Sequence, residues 1–282
     1  MSFVRAGSGE PVLLLHGFTL SHHVWRGVFK ALAAEYDVVA LTMPGHWGGS
    51  RLRWRAAGVS GMADGVEREL DALEWGSCHI VGNALGGQVG FALERRGRAR
   101  SLVAINGGVG AKRFDRSGFR LAMEFVRRYP VGLATRILGD RAAGHPRFQR
   151  RVLATSSRDP GAVHPADAMN MMRAISLCPT YIPSSVAFLI DGLVIDIDQV
   201  RAPTSLLLSE FDPYPSHAPT VREILDRLPD TVRVVPLPGV GHVPMLEAPD
   251  LVSCEIRAHL AGVIALRGEP GGQQVVDGLG DR

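Results

Sequence analysis

Short, wholly apolar runs that stop at glycine or proline and lead into amphipathic stretches constrain this chain more than any other feature. Val12-Leu13-Leu14-Leu15 stops at His16-Gly17, and Val24, Val28, Leu32 and Ala33 follow at helical spacing. Asp37-Val38-Val39-Ala40-Leu41 gives way to Pro44-Gly45-His46, and residues 62–75 then carry Val66, Leu70 and Leu73 on one helical face. His79-Ile80-Val81, a helical stretch over 84–96 and Leu102-Val103-Ala104-Ile105 repeat the pattern. A strand with no polar alternation is buried on both faces, the condition of a parallel strand covered by helices. Strand and helix alternating through short joins predict an α/β fold with parallel strands and right-handed crossovers.

The alternation breaks between about 110 and 198, a helical, irregular stretch rich in arginine with methionines at Met169, Met171 and Met172. It resumes with a strand at Thr204–Ser209, a helix over 217–228, a strand at Val232–Pro236 and a helix over 247–262. The expected organisation is one α/β core, residues 1–109 and 199–266, interrupted by a helical insertion over 110–198. Residues 267–282 are Gly-rich and polar and read as a disordered tail.

With 282 residues, 46% hydrophobic and 21% charged, the chain has the composition of an ordinary globular protein, which excludes disordered, collagen-like and coiled-coil classes. Thirty-one basic against 28 acidic residues is too even a balance to argue for a nucleic-acid partner. No apolar run reaches the roughly 18 residues of a membrane span, and Met1-Ser2-Phe3-Val4-Arg5 lacks a signal-peptide layout. Cys78, Cys178 and Cys254 are odd in number, far apart and without zinc spacing, which fits free thiols in a reducing cytoplasm. No dinucleotide fingerprint or metal-ligand spacing occurs, so neither cofactor nor metal is expected. The expected partner is a small-molecule substrate, and nothing in the sequence specifies an oligomeric state.

The most informative joint is Val81-Gly82-Asn83-Ala84-Leu85-Gly86-Gly87, between a strand and a helix. An elbow of the form G-x-Ser-x-G turns so sharply that a Cβ at the flanking positions would strike the neighbouring elements. Gly82, Gly86 and Gly87 meet that need, and the central residue, held up into the cleft in strained backbone angles, is Ala84. His242 follows a strand in the Gly-rich loop Gly239-Val240-Gly241-His242, free to reach the cleft. Asp212 follows the strand 204–209, where it could orient a histidine or form an Asx turn before Pro213; Glu210 is the second candidate acid.

Taken in order, Leu14-Leu15-His16-Gly17-Phe18, Pro44-Gly45-His46, the elbow, Phe211-Asp212-Pro213 and Gly239-Val240-Gly241-His242-Val243-Pro244 resemble the α/β-hydrolase superfamily along nearly the full length. Within it, the chain is similar to actinobacterial lipase- and esterase-like hydrolases with a Gly-Asn-Ser-Leu-Gly-Gly elbow. The resemblance implies an eight-stranded sheet with a cap inserted after the sixth strand, position 84 as nucleophile, Asp212 as acid and His242 as general base. It also implies an oxyanion hole from the backbone N–H groups of Phe18 and Leu85, the latter at a helix N-terminus. His16 would orient the loop after its strand, and His22 and His23 would cap or line the entrance.

Alanine at position 84 departs from the pattern, and Cys78 and Cys178 are not placed to replace the hydroxyl. Three readings stay open. Ala84 could stand where a natural serine was removed to trap a substrate, the natural protein being a serine hydrolase of a small or medium apolar ester, thioester or other carbonyl compound. It could be natural, as in aminoacrylate-hydrolase-like proteins, with His242–Asp212 activating water or removing a substrate proton for hydrolysis, lyase or cyclisation chemistry. Or the chain could be a non-catalytic ligand-binding protein on this scaffold.

Overall fold

The computed structural model describes residues 3–107, 116–193, 199–214, 225, 226 and 228–268. Seven strands form one sheet in the order β1-β3-β2-β4-β5-β6-β7. They are β1 (Phe3–Ala6), β2 (Pro11–Leu15), β3 (Asp37–Leu41), β4 (Cys78–Asn83), β5 (Ala99–Ile105), β6 (Thr204–Ser209) and β7 (Val232–Leu237). Among the described strands only β1 runs antiparallel, pairing Phe3 with Leu41 and Ala6 with Val38. The other pairings are parallel.

The apolar runs are continuous because both faces of the sheet are covered. Val12 and Leu14 of β2 enter one core and Leu13 and Leu15 the other. Val38 and Ala40 against Val39 and Leu41 in β3, and Val103 and Ile105 against Leu102 and Ala104 in β5, divide the same way. Nearly all are fully buried, at about 1.5–3 kcal/mol per large side chain. Pro236 sits in β7, at the sheet edge, where a missing N–H costs no ladder bond.

The first helices are α1 (Arg26–Leu32), α2 (Val59–Ala72) and α3 (Leu85–Arg95). Between β5 and β6 the described residues form α4 (Arg116–Leu138), α5 (Asp140–Ala143), α6 (Pro146–Leu153), α7 (Pro165–Ser176) and α8 (Tyr181–Asp191). The last helix among the described residues is α9 (Pro249–Gly268).

Several expectations are corrected. Seven strands are present among the described residues, not eight, and the helical segment follows the fifth of them, not the sixth. β1 went unread because it is four residues long, with three exposed side chains and no alternation. α2 begins at Val59, three residues before the expected start, with Gly58 preceding it and no side-chain cap to mark the boundary. α9 continues through Gly268, past the expected start of the tail. The rest of that tail and most of the helix expected over 217–228 lie outside the described residues. No single described helix is long and apolar enough to cross a membrane.

Candidate active site

The loops that leave the carboxyl ends of β2, β4, β5, β6 and β7 carry the site, the usual position for ligands in an α/β sheet. At the end of β4, Ala84 has φ 48° and ψ −110°. That is a left-handed backbone few non-glycine residues adopt. The surroundings enforce it. A Cβ on Gly86 would lie 2.2 Å from the Leu15 carbonyl oxygen, and one on Gly82 would lie 2.3 Å from the Gly86 backbone. One on Gly107 would come within 2.7 Å of the Ala84 carbonyl oxygen. Gly17 presses from the other side, 3.5 Å from the Ala84 Cβ if it bore a Cβ of its own. The Ala84 N–H is held by the Ile105 carbonyl at 2.9 Å.

His242 and Asp212 meet. Nδ1 of His242 lies 2.9 Å from Oδ1 of Asp212, whose side chain is 2% exposed. The carboxylate accepts, so the Nδ1 proton belongs to the histidine and Nε2 is left as the basic nitrogen. Asp212 also accepts the Tyr214 N–H at 2.9 Å, and the Tyr214 ring packs edge-on against His242, centroids 4.4 Å apart. The Asx interaction and the histidine partnership therefore coexist. Glu210 turns away and accepts the Gly239 N–H.

Leu85 opens α3, so its N–H has no partner within the helix. Phe18 follows Gly17 on the loop pressed against this elbow. Its ring forms an aromatic centre with Phe125 at 4.9 Å, Phe188 at 5.1 Å and Tyr181 at 5.7 Å, tying the elbow region to α4 and α8.

His16 fixes this loop. Its Nδ1–H donates to the Gly17 carbonyl at 2.7 Å, while Nε2 accepts the Met43 N–H at 2.9 Å. His22 bonds Thr42 through Nδ1 and stacks on His23, which stacks on Trp47. His46 is buried beside His16, and burial pushes its pKa down to about 4. Burial drives His16 the same way. Both stay neutral in the fold, whereas the unfolded chain takes up their protons below about pH 6.5. Stability should therefore be level above that pH and fall as the pH drops toward 4. His46 alone should remove up to about 2 kcal/mol by about pH 5. Urea unfolding at neutral pH and near pH 5 checks this, with a shallower slope expected for His46→Gln.

The sequence reading missed the residues that hold the histidine loop. The His242 carbonyl accepts from Nδ2 of both Asn83 and Asn106, each at 3.0 Å. Asn106, at φ 50°, also brackets Ser209, donating to its Oγ and accepting its N–H, both at 2.8 Å. Glu247 accepts from the Gly241 N–H, Ser157 Oγ, Arg158 N–H and Asp159 N–H. The Val243 N–H donates to the Ser156 carbonyl at 2.7 Å. The loop bearing His242 is thus tied to the segment after α6. Glu247→Ala should lower stability by about 3 kcal/mol, since charge-assisted bonds to a half-buried carboxylate are lost. Hydrogen exchange at the Gly241 amide should speed up, and the smaller Glu247→Gln change should do less of both.

The three cysteines are free. Burial pushes Cys78 and Cys178 up to about 12, so neither offers a thiolate, and Cys254 is exposed on α9. Among the described residues no cluster of His, Cys, Asp or Glu could hold a metal. Met171 and Met172 fill the core.

Residues 12–253 match the model of the alpha/beta hydrolase family. Epoxide hydrolase EphH of Mycobacterium tuberculosis is 38% identical over 194 residues, 68% of this chain and 90% of that protein. Pimeloyl-(acyl-carrier protein) methyl ester esterase of Aeromonas hydrophila is 35% identical over 107 residues, 37% of this chain and 41% of that protein. Among solved structures, a thermophilic esterase from Thermogutta terrifontis superposes with a TM-score of 0.69 at 22% identity, covering 93% of each chain.

Proposed function

From the premise that the chain belongs to the alpha/beta hydrolase family, we propose that it adds water to a small or medium apolar substrate without a protein nucleophile. His242 is the general base, Asp212 holds its tautomer, and the N–H groups of Phe18 and Leu85 receive the oxyanion. The carrying observation is the His242–Asp212 pair, closed at 2.9 Å, in a chain whose elbow bears a methyl group. Nε2 takes a proton from water, the water oxygen bonds to the electrophilic carbon, and the bond to the leaving atom breaks, oxygen in an ester or epoxide and sulfur in a thioester. The proton returns to that atom. Electrostatic stabilisation of the developing oxyanion supplies the rest of the rate.

The substrate class is an ester, thioester or epoxide. Support comes from the names of two relatives, an epoxide hydrolase and a methyl ester esterase, whose reactions share the addition of water at an electrophilic carbon. The helical segment 116–191 serves as the cap: Phe125, Tyr181 and Phe188 surround Phe18 and favour an apolar substrate. Free cysteines support a cytoplasmic setting. A panel of short p-nitrophenyl esters and terminal epoxides tests the reading. Turnover above buffer without labelling by a fluorophosphonate is expected; a panel member that binds and stays intact while none turns over would contradict it.

A second reading has its own support. Ala84 keeps the positive-φ backbone of a strand-to-helix nucleophile elbow. A serine there would be the nucleophile of an acyl-enzyme route.

A further inference from the structure

Of the fifteen exposed large apolar residues among the described residues, ten lie on the helical segment 116–191. On α4, Val126, Tyr129, Leu133 and Ile137 recur at spacings of three and four and share one face. On α8, Ile182, Val186 and Ile190 recur every fourth residue. Single exposed apolar side chains need no account, but a patch on two adjoining helices does. A cavity of about 400 Å³ lies between the helices, lined in part by Tyr129, Leu133, Tyr181 and Ile182. Trp54, 69% exposed, joins the same cavity from the loop before α2.

The charge around this face is mainly positive, with Glu124 on α4 and Asp191 at the end of α8 as the acidic residues of its two helices. Residues 116–191 contain eleven arginines against five acidic residues, in a chain whose net charge is only +3. Arg51, Arg53 and Arg55 surround Trp54 in sequence, and Arg136 lines the cavity. All four are exposed, and none forms an ion pair among the described residues. A two-fold contact with a second copy would set arginine against arginine. An anionic bilayer satisfies both features, apolar side chains entering the acyl boundary and guanidiniums meeting the headgroups.

We propose that the face formed by α4, α8 and the Trp54 loop docks on an anionic lipid surface. Tyr181 lines the cavity on this face and packs on Phe18 beside the elbow, so docking would open the apolar cavity to molecules dissolved in the bilayer. The docking does not depend on the chemistry proposed above, because its readout is physical.

The test is sedimentation of the full chain with vesicles of phosphatidylcholine alone and of an equimolar mixture with phosphatidylglycerol. Binding to the mixed vesicles is expected, at least about tenfold weaker on pure phosphatidylcholine and weakened by salt. Arg53→Gln with Arg55→Gln, and separately Trp54→Ser with Val186→Ser, should each reduce partitioning about tenfold. These positions are exposed, so unfolding midpoints should not move. Absence of binding to either vesicle, or binding indifferent to both double variants, overturns the proposal. A dimer in lipid-free sedimentation velocity that Val186→Asp dissociates also overturns it and assigns the face to a second copy.

Discussion

His242→Ala is expected to lower turnover by on the order of 10³-fold while leaving the fold intact. A positioned general base contributes about 10²–10⁴, and here no serine stands between the histidine and water to share that role. The side chain is half-buried in a loop whose backbone is held separately by Asn83, Asn106 and Glu247. Truncation therefore removes the base without releasing the loop. Asp212→Asn should cost a similar or larger factor, because an amide presents an N–H to Nδ1 and selects the wrong tautomer. Turnover unchanged in both variants would place the chemistry elsewhere. Initial rates on the best member of the ester and epoxide panel, with unfolding curves for each variant, read the outcome.

Ala84→Ser should act in the opposite direction. The elbow is already folded around a left-handed residue, and Gly82, Gly86 and Gly107 clear the space it needs. A hydroxyl on the Ala84 Cβ adds one atom at a half-buried position, so little backbone cost is expected. Removing a triad serine costs about 10⁶-fold in subtilisin. Restoring one to an elbow in a chain whose His242 and Asp212 are already paired should raise ester cleavage by at least about 10³-fold and create a site labelled by a fluorophosphonate. A labelled variant with no gain in turnover would mean that the acyl-enzyme forms and is not released. Neither labelling nor gain would mean that His242 is not aligned on position 84. Either shortfall would weaken the second reading without touching the water-addition route.

The parts of this molecule legible in the sequence are those fixed by local sterics. The elbow could be read because Gly82, Gly86 and Gly87 lie within six residues, and each is required by contacts with the turn or the elements beside it. His242 and Asp212 could be read because both follow strands. Asn83 and Asn106 could not, because their partner is the carbonyl of His242, 159 and 136 positions away. Glu247 is likewise near Gly241 in sequence but far from Ser157, which it also binds. Gly107 was missed because its neighbour is the Ala84 carbonyl, one helix and one strand earlier in the chain. β1 carries too little apolar pattern to announce itself, and Pro130 inside α4 hides a long helix behind a residue that usually ends one.

The central claim is that water, not a side chain, attacks the substrate. A single turnover in ¹⁸O-labelled water, with enzyme in excess over the best panel substrate, tests it most directly. The expected result is one ¹⁸O atom in the product of that first turnover and an acid-quenched protein whose mass is unchanged throughout. A protein adduct that forms and decays at the rate of product release, with unlabelled oxygen passing from the enzyme to the product, would contradict it.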